Sequence, residues 1–315
     1  MSPRVTIGLP VYNGEDYVRE AIESILAQSF VDFELVISDN ASTDSTRRIC
    51  EEFATRDKRI RYVRTDKNLG GSWNFHRVLE LADGEYFRWA AHDDAIRPSY
   101  LECCVQVLDD DPSVVLCHTA VEIIDAHGAS EGVHHDPPMR REATEAHIRF
   151  RDVALHGGRN HQIFGVIRRD ALFRIPPYGS HANADGVLLA RLSLIGRFVK
   201  LDDALQLMRV HEAQASTRYG VNGGGIDYQA WREWIHGRDD RKPGLPHWRV
   251  WGEHARSLVV VNGLPMSVRI RSLPTLPMWA WTRRGRLKRD VIVATQQVIG
   301  TTVGHLRKKR RSTSL

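Results

Sequence analysis

Three consecutive residues, His92-Asp93-Asp94, end an aromatic and apolar run that begins at Tyr86. A buried strand over Tyr86 to Ala91 would deliver two adjacent carboxylates to its carboxyl end, where open α/β sheets bind their ligands. A carboxylate pair there suits a divalent cation, Mg²⁺ or Mn²⁺, which favours hard oxygens and leaves positions for substrate phosphates. The plain alternative is a pair of solvated turn acids ahead of the helix that Pro98 opens. Residues upstream weigh against it.

Two earlier runs also end on polar residues, at Leu9-Pro10-Val11-Tyr12-Asn13-Gly14 and at Ile37-Ser38-Asp39-Asn40. In a parallel sheet both would emerge on the side of Asp93 and Asp94. Tyr12 offers a flat ring to a nucleobase, and Asp39 can accept from a base N–H or a ribose hydroxyl. The following Ser42-Thr43-Asp44 reads as a helix cap, with Ser42 or Thr43 capping and Asp44 favouring the dipole. Asp39 has no such local task, so it is read as a ligand residue.

The elements that must position these groups alternate. Strands are predicted at Val5–Leu9, Phe33–Ser38, Ile60–Arg64 and Tyr86–Ala91, separated by helices over Glu15–Ala27, Asp44–Thr55 and Ser72–Leu81. Such alternation implies an α/β fold, a mostly parallel sheet with helices on both faces. Further strands are expected at Val114–His118, Thr119–Ile124 and Gln162–Ile167, and helices at Glu145–Ala154 and Asp185–Leu194. His127 to Arg141 has loop composition. Its His134-His135 pair points two ways along an extended chain and is not read as a metal site.

Together these blocks resemble the inverting glycosyltransferases of family 2. The resemblance is carried by Pro10-Val11-Tyr12-Asn13, Ser38-Asp39-Asn40-Ala41-Ser42-Thr43-Asp44, Asn68-Leu69-Gly70-Gly71 and His92-Asp93-Asp94, in family order over about residues 4 to 95. A weaker match runs to about Ser216. The resemblance implies a GT-A fold and a nucleoside-diphosphate sugar donor of UDP or dTDP type, with Pro10, Tyr12, Asn13, Asp39 and Asn68 lining it. The family's DxD motif has His92 in place of its first acid. That leaves Asp94 as the main metal ligand and Asp93 to meet the ribose or the sugar.

In the second half, Asn183-Ala184-Asp185-Gly186 resembles the family segment whose acid opens a helix and serves as catalytic base. Arg209-Val210-His211 to Ser216 resembles its R-x-H-x-x-x-x-S element, which makes His211 a second candidate ligand of the cation. The implied reaction is a single displacement with inversion, in which Asp185 takes the acceptor proton; Asp170, Asp202 and His161 are the reserve bases. A sugar-phosphate nucleotidyltransferase would carry a Gly-rich phosphate loop after the first strand, and none is present. A non-catalytic scaffold would have lost Asp94 or Asp185, and neither is lost. A processive synthase is disfavoured because Gln229-Ala230-Trp231-Arg232-Glu233 departs from Q-x-x-R-W.

The 315 residues carry a net charge of +5, unevenly: ten basic residues and one acid lie between Thr282 and Leu315, so that stretch is +9 and the remainder −4. A nucleic-acid enzyme would be basic along its groove, so nucleic acid is not the expected partner. Three parts are read: a catalytic domain over 1–218, a Gly-rich linker at 219–227, and a basic helical appendage over 228–315. Met278-Trp279-Ala280-Trp281 and the following arginines have the character of an interfacial segment, consistent with a glycan or lipid-linked acceptor at an anionic membrane. With no signal segment and no run long enough to span a bilayer, the expected location is cytoplasmic, peripheral at the inner face of the plasma membrane. The four cysteines show no CxxC spacing and are read as reduced thiols.

Overall fold

The computed structural model describes residues 2–135, 139–156, 160–181, 183–214, 234–236 and 245–296. The chain opens with β1 (Val5–Val11), α1 (Val18–Leu26), β2 (Phe33–Asp39), α2 (Thr46–Arg56), β3 (Ile60–Arg64), α3 (Gly71–Glu80) and β4 (Tyr86–Trp89). It continues with β5 (Ala95–Ile96), α4 (Tyr100–Asp110), β6 (Val114–Ile124), β7 (Ser130–His134), α5 (Ala146–His156), a 3-10 turn (His161–Phe164) and β8 (Val166–Arg168). Then follow α6 (Arg169–Phe173), α7 (Ala184–Ile195), β9 (Arg197–Arg209), α8 (Pro246–Val260), α9 (Met266–Ser272) and α10 (Thr275–Thr282). Residues 284–296 are helical.

The described strands form one nine-stranded sheet in the order β3-β2-β1-β4-β8-β6-β9-β5, with β7 paired to β6. β1 to β4, β6 and β9 run the same way, while β5, β7 and β8 oppose them. Each face carries its own apolar layer. Val18, Ile22, Ile49, Phe53 and Leu101 of α1, α2 and α4 pack on Ile7, Leu9 and Leu35. Val78, Phe150 and Leu188 of α3, α5 and α7 pack with Phe87, Trp89 and Phe198 on the other side. Strand order steps outward from β1 to β3 and then jumps back across to β4. The ends of β1 and β4 therefore flank a switch point, the crevice where ligands of open α/β sheets lie.

Several predicted elements change. The two strands expected between Val114 and Ile124 are one, β6. The expected loop after it contains β7, a hairpin partner turned at Gly128 with φ +85°. The strand expected at Gln162–Ile167 is the 3-10 turn followed by the short β8, because Gly165 separates them. β9, not anticipated, is a 13-residue strand.

The Gly-rich linker expected at 219–227 and the Arg307–Arg311 cluster lie outside the described residues. Helices α9 and α10 pack on α5, and α8 packs on α7. Val250, Leu258, Leu264, Trp279 and Leu287 share one apolar cluster with Phe150 and Leu188. Of the aromatic pair expected at an interface, Trp279 is 2% exposed and only Trp281 faces outward. His254 sits between Phe150 and Trp279, and burial together with Arg283 and Arg191 pushes it down to about 3, so it packs as a neutral ring. Trp279→Ala should cost about 3–5 kcal/mol and shift one cooperative denaturant transition of the whole chain. A separate small transition, with the main one unmoved, would mean that the C-terminal helices fold on their own.

Candidate active site

β1 and β2 pair in parallel until Val11 meets Asp39, so the loops after them leave the sheet side by side. Asn13 adopts a left-handed φ of 51°, a conformation asparagine tolerates. Its amide oxygen accepts the Thr43 N–H at 2.8 Å and its N–H donates to Ser42 Oγ at 3.0 Å. Ser42 therefore ties the two loops and does not cap α2. Ser45 holds the N-cap position, and Asp44 takes the Thr46 N–H at 3.0 Å. Asn74 of α3, not singled out in the sequence, is buried and donates to the Ser38 carbonyl at 2.9 Å and the Val11 carbonyl at 3.3 Å. Tyr12 remains 39% exposed beside this knot, and Pro10 is buried within β1.

Asp39 does have a local task. Its carboxylate accepts the Ser42 N–H at 2.8 Å and the Tyr62 hydroxyl at 2.7 Å, with Arg64 Nε at 3.3 Å. Tyr62 and Arg64 come from β3, whose register with β2 sets them beside Asp39. Asn40 carries the same construction onward: its Nδ2 donates to Asn68 Oδ1 at 2.9 Å, and its Oδ1 accepts the Leu69 N–H at 2.9 Å. Gly70, with φ +91°, then turns the chain into α3.

The end of β4 meets the end of β9. Asp93 and Asp94 are both buried. Asp94 accepts the Arg209 backbone N–H at 3.0 Å and lies 3.4 Å from Gln206 Nε2, whose Oε1 takes Arg88 at 2.7 Å. The Arg209 guanidinium donates to the Asp93 carbonyl at 2.9 Å, reaches Glu20 at 2.6 Å and lies over the Tyr17 ring. His211 Nε2 stands 3.1 Å from Asp93 Oδ2, its ring against Tyr17. The pair expected to hold a cation, Asp94 with His211, is thus not the pair that meets. Both Asp94 oxygens face donors of β9, and His211, two residues past the end of that strand, reaches Asp93 instead.

Electrostatics separates the two acids. Burial raises Asp93, but His92 and the His211 contact outweigh it and hold the carboxyl below the usual range. Burial and the neighbouring Asp93 charge push Asp94 up to about 8. Asp93 offers a hard oxygen of the kind Mg²⁺ and Mn²⁺ favour, and His211 adds an imidazole nitrogen, which suits a transition-metal ion better than Mg²⁺. No group of three or more His, Cys, Asp or Glu among the described residues is placed to hold a metal. A two-donor protein site of this kind is the sort that substrate phosphates complete.

Asp185 lies in the first turn of α7, entered through Asn183 in the left-handed region at φ 57°. Gly186 leaves room for the Asn183 amide, which a Cβ there would approach to 2.6 Å. The Tyr178 hydroxyl donates to Asp185, while its ring stacks on Phe75 at 5.2 Å. Burial raises the Asp185 carboxyl and the Tyr178 bond opposes that rise. Tyr178 also lines a cavity of about 610 Å³, together with Asn68, Leu69, Ser72, Trp73, His76 and Ser180. Tyr62, Arg64, Tyr178, Gln206, Tyr17 and Asn74 are among the residues that sequence reasoning missed; Arg209 was quoted only as part of a motif.

Asp94 gives a test of this geometry with its sign fixed. Its carboxyl moves from the ordinary 3.8 up to about 8 on folding. The stability carried by its protonated form is therefore full below the lower value and lost as pH rises through the upper one. Even one unit of upward shift is worth about 1.4 kcal/mol. In chelator, Asp94→Asn should melt higher than the parent at pH near the upper value, and the advantage should vanish on acidification to the lower. A variant less stable than the parent near the upper value, with the deficit fading on acidification, would show that a charged Asp94 is needed.

Comparison with known proteins places the chain in a family and its fold in a class. Residues 6–174 match the profile of Glycosyl transferase family 2, more than half of the chain. An uncharacterized glycosyltransferase of Rickettsia typhi is 34% identical over 125 residues, 39% of this chain and 38% of that protein. Glycosyltransferase GlyG of Streptococcus pneumoniae is 30% identical over 117 residues, 37% of this chain and 39% of that protein. The matches thus span well under half the length of these relatives. Among solved structures, S. aureus TarS 1–349 in complex with UDP-GlcNAc superposes with a TM-score of 0.64 at 17% identity, covering 95% of this chain and 82% of that one. The mannosyltransferase PcManGT of Pyrobaculum calidifontis, in complex with GDP-Man and Mn²⁺, gives 0.51 at 18% identity, covering 96% and 81%. The likeness to TarS and PcManGT fixes the GT-A type of fold, and with the profile match over its first half the chain belongs to glycosyl transferase family 2.

Proposed function

We propose that this chain transfers one sugar from a nucleoside-diphosphate sugar, of UDP or dTDP type, to an acceptor hydroxyl with inversion at the anomeric carbon. One observation carries the reading: Tyr178, hydrogen-bonded to Asp185, walls the same cavity as Asn68. A donor held against the β1, β2 and β4 ends and an acceptor beside Asp185 would meet there. The nucleotide sugars held by TarS and PcManGT support this class of donor.

Tyr12 is the exposed ring available to a nucleobase, while Pro10, Asn13, Asp39 and Asn68 shape the crevice beneath it. Asp93 and His211 would hold a divalent cation, which when bound neutralises charge on the departing diphosphate. Asp94, turned toward β9, sets the position of Asp93. Asp185 takes the acceptor proton. Its upward-shifted carboxyl makes it a stronger base than a solvated aspartate, and Tyr178 keeps it ionised and aimed. Positioned bases of this kind contribute about 10²–10⁴-fold. The acceptor is a glycan or a lipid-linked sugar of cell-envelope assembly, at the inner face of the plasma membrane.

A thermal-shift panel of nucleoside diphosphates and their sugars, with and without Mn²⁺, tests the donor. A donor at 100 times its dissociation constant stabilises by about 2.7 kcal/mol. No stabilisation by any of them would remove the reading.

Asp185→Asn should lower turnover by about 10²-fold or more with donor affinity little changed. Loss of both in parallel would make Asp185 a binding residue. Tyr178→Phe removes the bond that lowers the Asp185 carboxyl. The acid limb of the pH–rate profile should therefore move to higher pH, while donor affinity holds. An unmoved limb would mean that Tyr178 does not act on the base.

A further inference from the structure

Between Glu253 and Asp290 the chain carries eight Arg and Lys residues and neither an Asp nor a Glu. Asp290 itself is buried against His247 and does not offset them. This stretch contains α9 and α10, both of which pack on α5. Their other faces are turned from the core, and those faces are not polar. Met266 and Ile270 stand one turn apart on α9, with Leu273 one turn further, and Met266 is 68% exposed. On α10, Met278 and Trp281 share a face, and Trp281 is 69% exposed while Trp279 fills the core. Arg284 lies over the Trp281 ring at 4.6 Å. Arg271, Lys288 and Arg289 are exposed nearby in the chain.

We propose that the outer faces of α9 and α10, with the first turns of the helix over 284–296, dock on an anionic lipid bilayer. The inference deepens the reading of a membrane-presented acceptor and rests on it. Large apolar side chains interleaved with cations and free of acids suit the boundary between headgroups and acyl chains. Trp281 carries the amphipathic ring favoured at that depth, with its arginine partner toward the phosphates. A nucleic-acid strand would use the cations but not Met266, Ile270 or Leu273. A second copy of this chain would set one cationic face against another, with no acid to relieve the repulsion. The docking face lies on the helices that pack against α5, and α8 beside them packs against α7, so a docked chain holds the helix of Asp185 in a fixed relation to the bilayer.

Co-sedimentation of the full chain tests the proposal, with vesicles of equal parts phosphatidylcholine and phosphatidylglycerol against pure phosphatidylcholine. The parent should pellet with the mixed vesicles only. Ile270→Ser with Trp281→Ser, and separately Arg271→Gln with Arg284→Gln, should each lower the partition about tenfold. All four positions are outside the core, so melting temperature and stabilisation by nucleoside diphosphates should match the parent. A parent that stays in the supernatant, or pairs of substitutions that leave partition unchanged, would overturn the proposal. So would retention on polyuridylate without vesicle binding, or an elution volume in gel filtration that only the Ile270 and Trp281 pair changes. Vesicle binding that fails in a protein still stabilised by a nucleotide sugar would sink the docking surface alone. Docking without any nucleotide response would sink the transferase reading instead.

Discussion

Two adjacent carboxylates cannot both be buried at a strand end unless partners are arranged against them. Here, among the described residues, the side-chain and backbone partners that reach them from elsewhere in the chain by hydrogen bonds come from one stretch, Gln206 to His211. Gln206 and the Arg209 N–H face Asp94, the Arg209 guanidinium clamps the Asp93 carbonyl, and His211 faces the Asp93 side chain. These bonds join residues more than a hundred positions apart in the chain. The alternating first half can build the crevice at β1 and β2 by itself. It cannot finish the acidic corner until β9 has paired with β6 and β5. The direction of β9 matters as much as its presence. Running parallel to β6, it brings its carboxyl end to the side where β4 also ends.

The opposite wall depends on the C-terminal helices. Arg191 of α7 is buried and reaches Glu253 of α8 at 2.5 Å and Ser257 at 3.1 Å. A buried ion pair of this kind is costly to break, because one charge would be left without its partner. The helix that presents Asp185 is thus anchored from behind by α8, while Tyr178 holds the carboxylate from the front. Residues far along the chain from the acids therefore set where Asp185 stands.

Much of the architecture was legible in the chain, and the misses have physical reasons. β1, β2 and β4 are short buried runs and β3 a short half-buried one, all punctuated by polar turns, so their order could be read. β9 could not, because Lys200, Asp202 and Asp203 interrupt its apolar positions and only Phe198, Gln206 and Arg209 are fully buried. Asp39 was legible as a strand-end acid. Its partners were not, since Tyr62 and Arg64 reach it through the register of a neighbouring strand. Asp185 carried a motif, but Tyr178 sits in an irregular segment with no periodicity to mark it. α10 is apolar nearly all round, so the sequence could not say which tryptophan, Trp279 or Trp281, faces the core. The pairing of His211 with Asp93 depended on which acid β9 would engage, and that is a tertiary fact.

The assignment of the cation to Asp93 and His211 is the claim on which the donor half of the site turns. Pulsed electron paramagnetic resonance of Mn²⁺ bound together with UDP reads it directly, because a coordinated imidazole nitrogen modulates the echo. The expected result is nitrogen modulation in the parent that persists in Asp94→Asn and disappears in His211→Ala. Modulation that survives His211→Ala, or a spectrum of oxygen ligands alone in the parent, would contradict the assignment.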